Sequence, residues 1–153
     1  MKTLDIETRI VDERARDFPP PEYATLGSAG IDLRACLDAP LRIAPGETHI
    51  VGTGIAVFIR DPGVMGLLAP RSGLGVKHGI VLANTVGVID SDYQNEIRAA
   101  LFNRSTEAYE IAPGERICQI IFTPVTRANI KIVETFTADT ERGQGGFGST
   151  GRF

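Results

Sequence analysis

The 153-residue chain has no tryptophan, only two cysteines and two histidines, and no apolar run near the roughly 18 residues of a membrane span. Cys36 and Cys118 stand far apart in no CxxC arrangement, which reads as two buried reduced thiols rather than a disulfide framework or metal site. His49 and His78 have neither cysteine nor a second histidine at ligand spacing, so no zinc centre is expected. Positive charge is short as well: 16 Lys and Arg against 19 Asp and Glu give a net charge of −3. That argues against a polynucleotide-binding surface with many phosphate contacts, but a local cluster of donors could still hold a small anion. The amino terminus sets Asp5 and Glu7 inside its apolar alternation and lacks a signal-peptide hydrophobic stretch. A cytoplasmic protein with no membrane segment is the expectation.

Sustained apolar spacing of three and four residues is also missing, whereas alternation is frequent. Leu4, Ile6, Thr8 and Ile10 alternate with charged residues, as do Ile31 to Cys36. His49 to Ile59 is a long β-prone run in which Gly52 and Gly54 mark a bulge or a close backbone approach. Extended segments are expected again over 64–69, 80–82, 85–89, 96–102, 107–111, 116–125 and 129–136, with one short helix over 72–78 after Pro70. Proline and glycine punctuate the intervals at 19–21, 45–46, 62–63 and 113–114. The pattern predicts one all-β domain, either a barrel or a double-sheet jelly roll.

The stretch Gly87 to Leu101 draws together the most chemistry. Asp90, Ser91, Asp92, Tyr93, Gln94 and Asn95 form a polar run between two predicted strands, placing two carboxylates and a tyrosine at the tip of a hairpin. Aspartates in such a run either satisfy backbone N–H groups of a turn or serve a site. Pro70-Arg71-Ser72-Gly73 offers a guanidinium, a hydroxyl and flexible backbone at a helix start, suited to an anion or to a simple helix cap by Ser72. Gln119 sits in an otherwise apolar strand and requires hydrogen-bond partners. The segment 142–153 carries five glycines in its first ten residues, among which Phe147 is the one aromatic, and should be mobile in isolation. Gly143, Gly145 and Gly148 match G-x-G-x-x-G, but only five residues follow, too few for the helix a dinucleotide site needs.

Five stretches, Ala29-Gly30-Ile31-Asp32-Leu33, Pro70-Arg71-Ser72-Gly73, Gly87 through Glu96, Gly114 through Gln119, and Arg142 through Gly151, resemble in order and spacing the five motifs of trimeric dUTP pyrophosphatases, the dUTPases, of bacterial type. The resemblance implies a jelly-roll-like β-barrel, the dUTPase-like β-clip, over 1–141, with a tail over 142–153 that closes a neighbouring subunit's active site. It implies a homotrimer with shared sites that hydrolyses dUTP to dUMP and pyrophosphate with Mg²⁺. By the same resemblance Asp90 is the general base that activates the attacking water and contacts the sugar. Arg71, Ser72, Gly73 and Gln119 contact phosphates, and Asp32 lies in the outer shell of a metal held by triphosphate and water. Asn84, Val88 and Ile89 hold uracil, Tyr93 packs on deoxyribose, and Arg98 lines the substrate site. Phe147 stacks on the base, and Arg142, Gly148, Ser149 and Thr150 serve the substrate's phosphate end. Asn95 stands where the family usually has glycine, so left-handed backbone is expected there; Cys118 replaces a common alanine. A dCTP deaminase and a non-catalytic nucleotide-binding module are the rival readings.

Overall fold

The computed structural model describes residues 3–141, 143, 145 and 146. Ten strands and one short α-helix account for its regular structure, together with a 3₁₀ turn at Glu13–Asp17. The strands are β1 (Glu7–Ile10), β2 (Ile31–Arg34), β3 (Leu41–Ile43), β4 (Thr48–Phe58) and β5 (Val64–Pro70), then β6 (Ile80–Leu82) and β7 (Gly87–Ile89). They continue with β8 (Glu96–Asn103), β9 (Tyr109–Ile111) and β10 (Arg116–Pro124), and the helix α1 spans Ser72–Lys77.

Two four-stranded antiparallel sheets, in the orders β1-β4-β8-β6 and β2-β10-β5-β7, pack their apolar faces on each other, with β3 and β9 as a separate ribbon. Val51, Ile97 and Leu101 from the first sheet join Leu33, Leu68 and Ile117 from the second in one core. This is the expected all-β, jelly-roll-like architecture. The sheets keep free edges and do not close into a barrel. The alternation along β8, from Ile97 and Ala99 to Leu101 inward, is what commits that strand to one face.

Several expectations need correction. The most consequential concerns Asp90–Asn95, which is not a hairpin tip. β7 pairs with β5 in the second sheet, whereas β8 pairs with β4 and β6 in the first, so the polar run crosses from one sheet to the other. A period of two marks a strand without saying which sheet it joins. The segment 129–136 forms no strand and pairs with neither sheet; Ile132 is 98% and Phe136 91% exposed. Strand β7 begins at Gly87 rather than at residue 85, since residues 84–86 form a tight turn. Asn95 keeps ordinary backbone, and its Oδ1 accepts from the Glu96 N–H at 2.8 Å, so the side chain supplies locally what glycine would supply by conformation. The bulge expected near Gly52 and Gly54 is present, as a register shift between Gly52 and Ala56 with Gly54 at φ 68°.

Candidate active site

A cavity of about 280 Å³ opens at the seam where the two sheets meet, below the Asp90–Asn95 crossover. From the second sheet it takes β7 and Leu68; from the first it takes Leu82, Arg98 and Ala100. Asn84, Val88, Ile89, Asp90, Tyr93 and Arg98, all predicted from sequence, line it together. Leu68, Leu82, Ala99 and Ala100 also line it and were not anticipated, because ordinary strand residues carry no signal of facing a cavity.

The close fit of β7 depends on glycine. A Cβ at Gly87 would lie 3.1 Å from both Cβ and Cδ1 of Leu68, its partner in the ladder, so glycine lets β7 approach β5 more closely than a side chain would without a shift of a few tenths of an ångström. β7 is also the last strand of its sheet, so one side of its main chain is unpaired in the ladder. A flat heterocycle with its own donors and acceptors suits such an edge.

Asp90 closes one side. It is exposed, and its carboxylate makes no hydrogen bond with the described residues, so the oxygens are free to accept from a water or a sugar hydroxyl. The crossover itself is ordered by its main chain: Asp90 O accepts from the Tyr93 N–H at 3.1 Å, and Ser91 O from the Arg60 N–H at 2.9 Å. Tyr93 is 39% exposed, with its phenol donating to Glu96 O at 2.9 Å, which presents the ring face at the cavity.

A second cluster gathers where β5 ends. Arg71 Nε donates to Asp32 Oδ1 at 2.7 Å, and Arg116 Nη1 donates to Asp32 Oδ2 at 3.0 Å, so one carboxylate on β2 braces two guanidiniums. Each guanidinium keeps further N–H groups for an anion. Gln119 Nε2 donates to Pro70 O at 3.1 Å, which fixes the turn ahead of Arg71. Gly30 makes room for that amide: a Cβ there would lie 2.4 Å from Gln119 Oε1. The helix α1 then starts with Arg71 as the flanking residue and without a side-chain cap, so Ser72 is not the cap that one sequence reading allowed. The first N–H groups of the helix lack intrahelical partners, and Ser72 and Gly73 are exposed beside the Arg71 guanidinium.

Within one chain the two clusters stay apart. Ile89 lies opposite Gly66, so Asp90 leaves the sheet at one end of β5 while Arg71 follows its other end. Six residues of strand separate those ends, roughly 20 Å. Among the described residues no three His, Cys, Asp or Glu side chains are grouped to hold a metal. Cys118, beside Gln119, is pushed up to about 12 by burial, with the Asp32 charge adding to it, and remains a protonated thiol. Arg142, Phe147, Gly148, Ser149 and Thr150 lie outside the described residues. No helix among the described residues is long and apolar enough to cross a membrane.

A model of the dUTPase family matches residues 16–151 of the chain. The deoxyuridine 5'-triphosphate nucleotidohydrolase of Idiomarina loihiensis is 56% identical over 148 residues, covering 96% of this chain and 97% of that protein. The enzyme of the same name from Escherichia coli is 54% identical over 153 residues, covering 99% of each. Among solved structures, the dUTPase of Staphylococcus bacteriophage 80alpha with dUpNHpp superposes with a TM-score of 0.85 at 26% identity, over 97% of this chain and 99% of that one. A dUTPase from phage phi11 of S. aureus, described with a structural Mg(II) ion, shares the fold at a TM-score of 0.77 and 22% identity, over 88% and 99% of the two chains.

Proposed function

The chain belongs to the dUTPase family, and from that premise we propose that it hydrolyses dUTP to dUMP and pyrophosphate at a site built from the seam cavity and the Arg71 cluster. The observation that carries this reading is the seam cavity, where an unpaired strand edge, a free carboxylate and a tyrosine ring converge. The main chain of Val88 and Ile89, with Asn84, reads the uracil edge. A rigid backbone rejects a 5-methyl group by contact, whereas a yielding apolar pocket would separate one methyl by only about 1–3 kcal/mol. Tyr93 packs on the deoxyribose and leaves no space for a 2′-hydroxyl. Asp90 accepts a proton from the water attacking the α-phosphate, a contribution of about 10²–10⁴-fold.

The remaining acceleration falls to charge stabilisation at the phosphates. Arg71, Ser72, Gly73 and Gln119 supply donors there, and Asp32 keeps the Arg71 guanidinium in place. Mg²⁺ brought with the triphosphate would supply charge neutralisation, and Asp32 is the residue proposed for its outer shell. Residues 142–153 form the tail that closes a neighbour's site, with Phe147 over the base and Arg142, Gly148, Ser149 and Thr150 at the phosphates.

Distance supports the sharing of sites between copies. Roughly 20 Å of strand lies between Asp90 and Arg71 of one chain, which favours their reaching one substrate from different copies. The apolar residues Ile130, Ile132 and Phe136, 81–98% exposed within a short segment, support an assembled state in which they are covered. A homotrimer is the assembly proposed. Avoidance of uracil in DNA and supply of dUMP for dTMP synthesis are the proposed roles. The test is pyrophosphate release from dUTP, dTTP, dCTP and UTP, with and without Mg²⁺. Selective Mg²⁺-dependent turnover of dUTP is expected; ammonia release from dCTP, or no turnover of any nucleotide, would overturn the reading.

A further inference from the structure

Only two non-glycine residues among those described adopt left-handed backbone: Arg60 at φ 67° and Thr85 at φ 62°. For a β-branched residue such as Thr85 this is a true outlier, since its Cβ is crowded in that region. Both centre a three-residue turn closed by an i to i+2 hydrogen bond. Asp61 N donates to Ile59 O at 2.8 Å, and Val86 N donates to Asn84 O at 2.7 Å. A γ-turn with positive central φ is the rare, strained form.

Their placement is not scattered. Strand β7 is reached by one crossover between the sheets, Ala83–Val86, and left by another, Asp90–Asn95. Thr85 lies inside the first; the Arg60 N–H, turned outward by its left-handed backbone, donates to Ser91 O in the second. β7 itself is three residues long and pairs on one side only, so its ladder gives it little purchase. Side-chain packing does not account for either conformation. Thr85 is exposed, and its hydroxyl reaches only Asn84 O, at 2.6 Å. The Arg60 guanidinium is directed away to Glu7 and lies 5.5 Å from the Phe58 ring centre.

We propose that Thr85 and Arg60 are positioning residues whose strained turns clamp the two ends of β7, Thr85 setting the width of the base pocket and Arg60 the placement of Asp90. This rests on the seam cavity being the dUTP site. Strain persists where the surrounding structure over-determines it and where function uses the resulting rigidity. Glycine at either position can adopt the same turn but also opens many others.

The experiment compares Thr85→Gly and Arg60→Gly with Thr85→Asn and Arg60→Asn, asparagine being the side chain most tolerant of left-handed backbone. Thr85→Gly should raise KM for dUTP about fivefold and lower the dUTP-to-dTTP ratio of kcat/KM about tenfold, with kcat within about twofold. Arg60→Gly should lower kcat about fivefold or more at nearly constant KM. Both asparagine variants should restore parental values. Circular dichroism and sedimentation establish that each variant is folded and assembled. Glycine variants with parental KM, kcat and discrimination would overturn the proposal, as would losses that simply track a fall in Tm. An inactive parent protein would instead defeat the reading of the site itself.

Discussion

Gly87→Ala probes the narrowest contact of the base pocket. The added Cβ would stand 3.1 Å from both Cβ and Cδ1 of Leu68, itself 3% exposed. Ordinary contacts lie at 3.4–4 Å, so β7 must retreat by about 0.3–0.9 Å or Leu68 must leave its rotamer. Overpacking of this kind costs about 1–3 kcal/mol, or about 2–4 °C in Tm per kcal/mol for a chain of this size. The functional cost should be larger in proportion. Displacing reacting groups by about 1 Å lowers rates about 10²-fold, so kcat/KM for dUTP should fall about 10- to 100-fold. Steady-state kinetics beside a thermal melt would separate the two effects. Adding Leu68→Ala removes the Cδ1 contact but keeps the Cβ contact, so the double variant should be less stable than Gly87→Ala alone, yet by less than the two single losses added together. A Gly87→Ala protein with kcat/KM within about twofold of the parent would refute the close-approach argument.

Asp90→Asn keeps the shape of the loop but removes the proton acceptor, so kcat should drop about 10²–10⁴-fold while dUTP binding, followed by calorimetry, persists; full turnover would exclude Asp90 as the base. Arg71→Lys retains charge but cannot present one edge to Asp32 and another to phosphate, and losing a charge-assisted bond should weaken kcat/KM by about 10-fold or more. Deleting residues 142–153 should leave a folded assembly of unchanged sedimentation with a severely reduced rate; normal hydrolysis would show that the tail is no lid. The Cys118 thiol, buried and with its ionisation raised to about 12, should resist alkylation of the native protein at pH 8 and react only on unfolding.

The strands were legible because period-two alternation and Gly or Pro punctuation are local signals, and most segments fall where they were expected. Pairing is not local. Nothing in Gly87–Ile89 or Glu96–Asn103 says that they join different sheets, and the Asp90–Asn95 run was accordingly placed at a hairpin tip. The alternation over 129–136 is a strand pattern that joins neither sheet of its own chain, which a sequence window cannot disclose. Asn84, Val88, Ile89, Asp90, Tyr93 and Arg98 were found by motif resemblance, and the structure brings them to one cavity. Leu68 and Ala100 were not, since a small or apolar strand residue looks the same facing a core or a ligand. Thr85 and Arg60 escaped for the opposite reason: neither residue type advertises positive φ.

The unpaired margin of β7 has a consequence for how this pocket can evolve. A ligand read by amide and carbonyl groups is read by atoms that every amino acid carries, so most point substitutions along the strand leave the vocabulary unchanged. Preference for another base would demand an insertion, a deletion or a slipped register in the flanking crossovers. Drift by single codons within β7 should therefore erode efficiency well before it alters which nucleotide is chosen, whereas the crossovers that set its position are where choice can change.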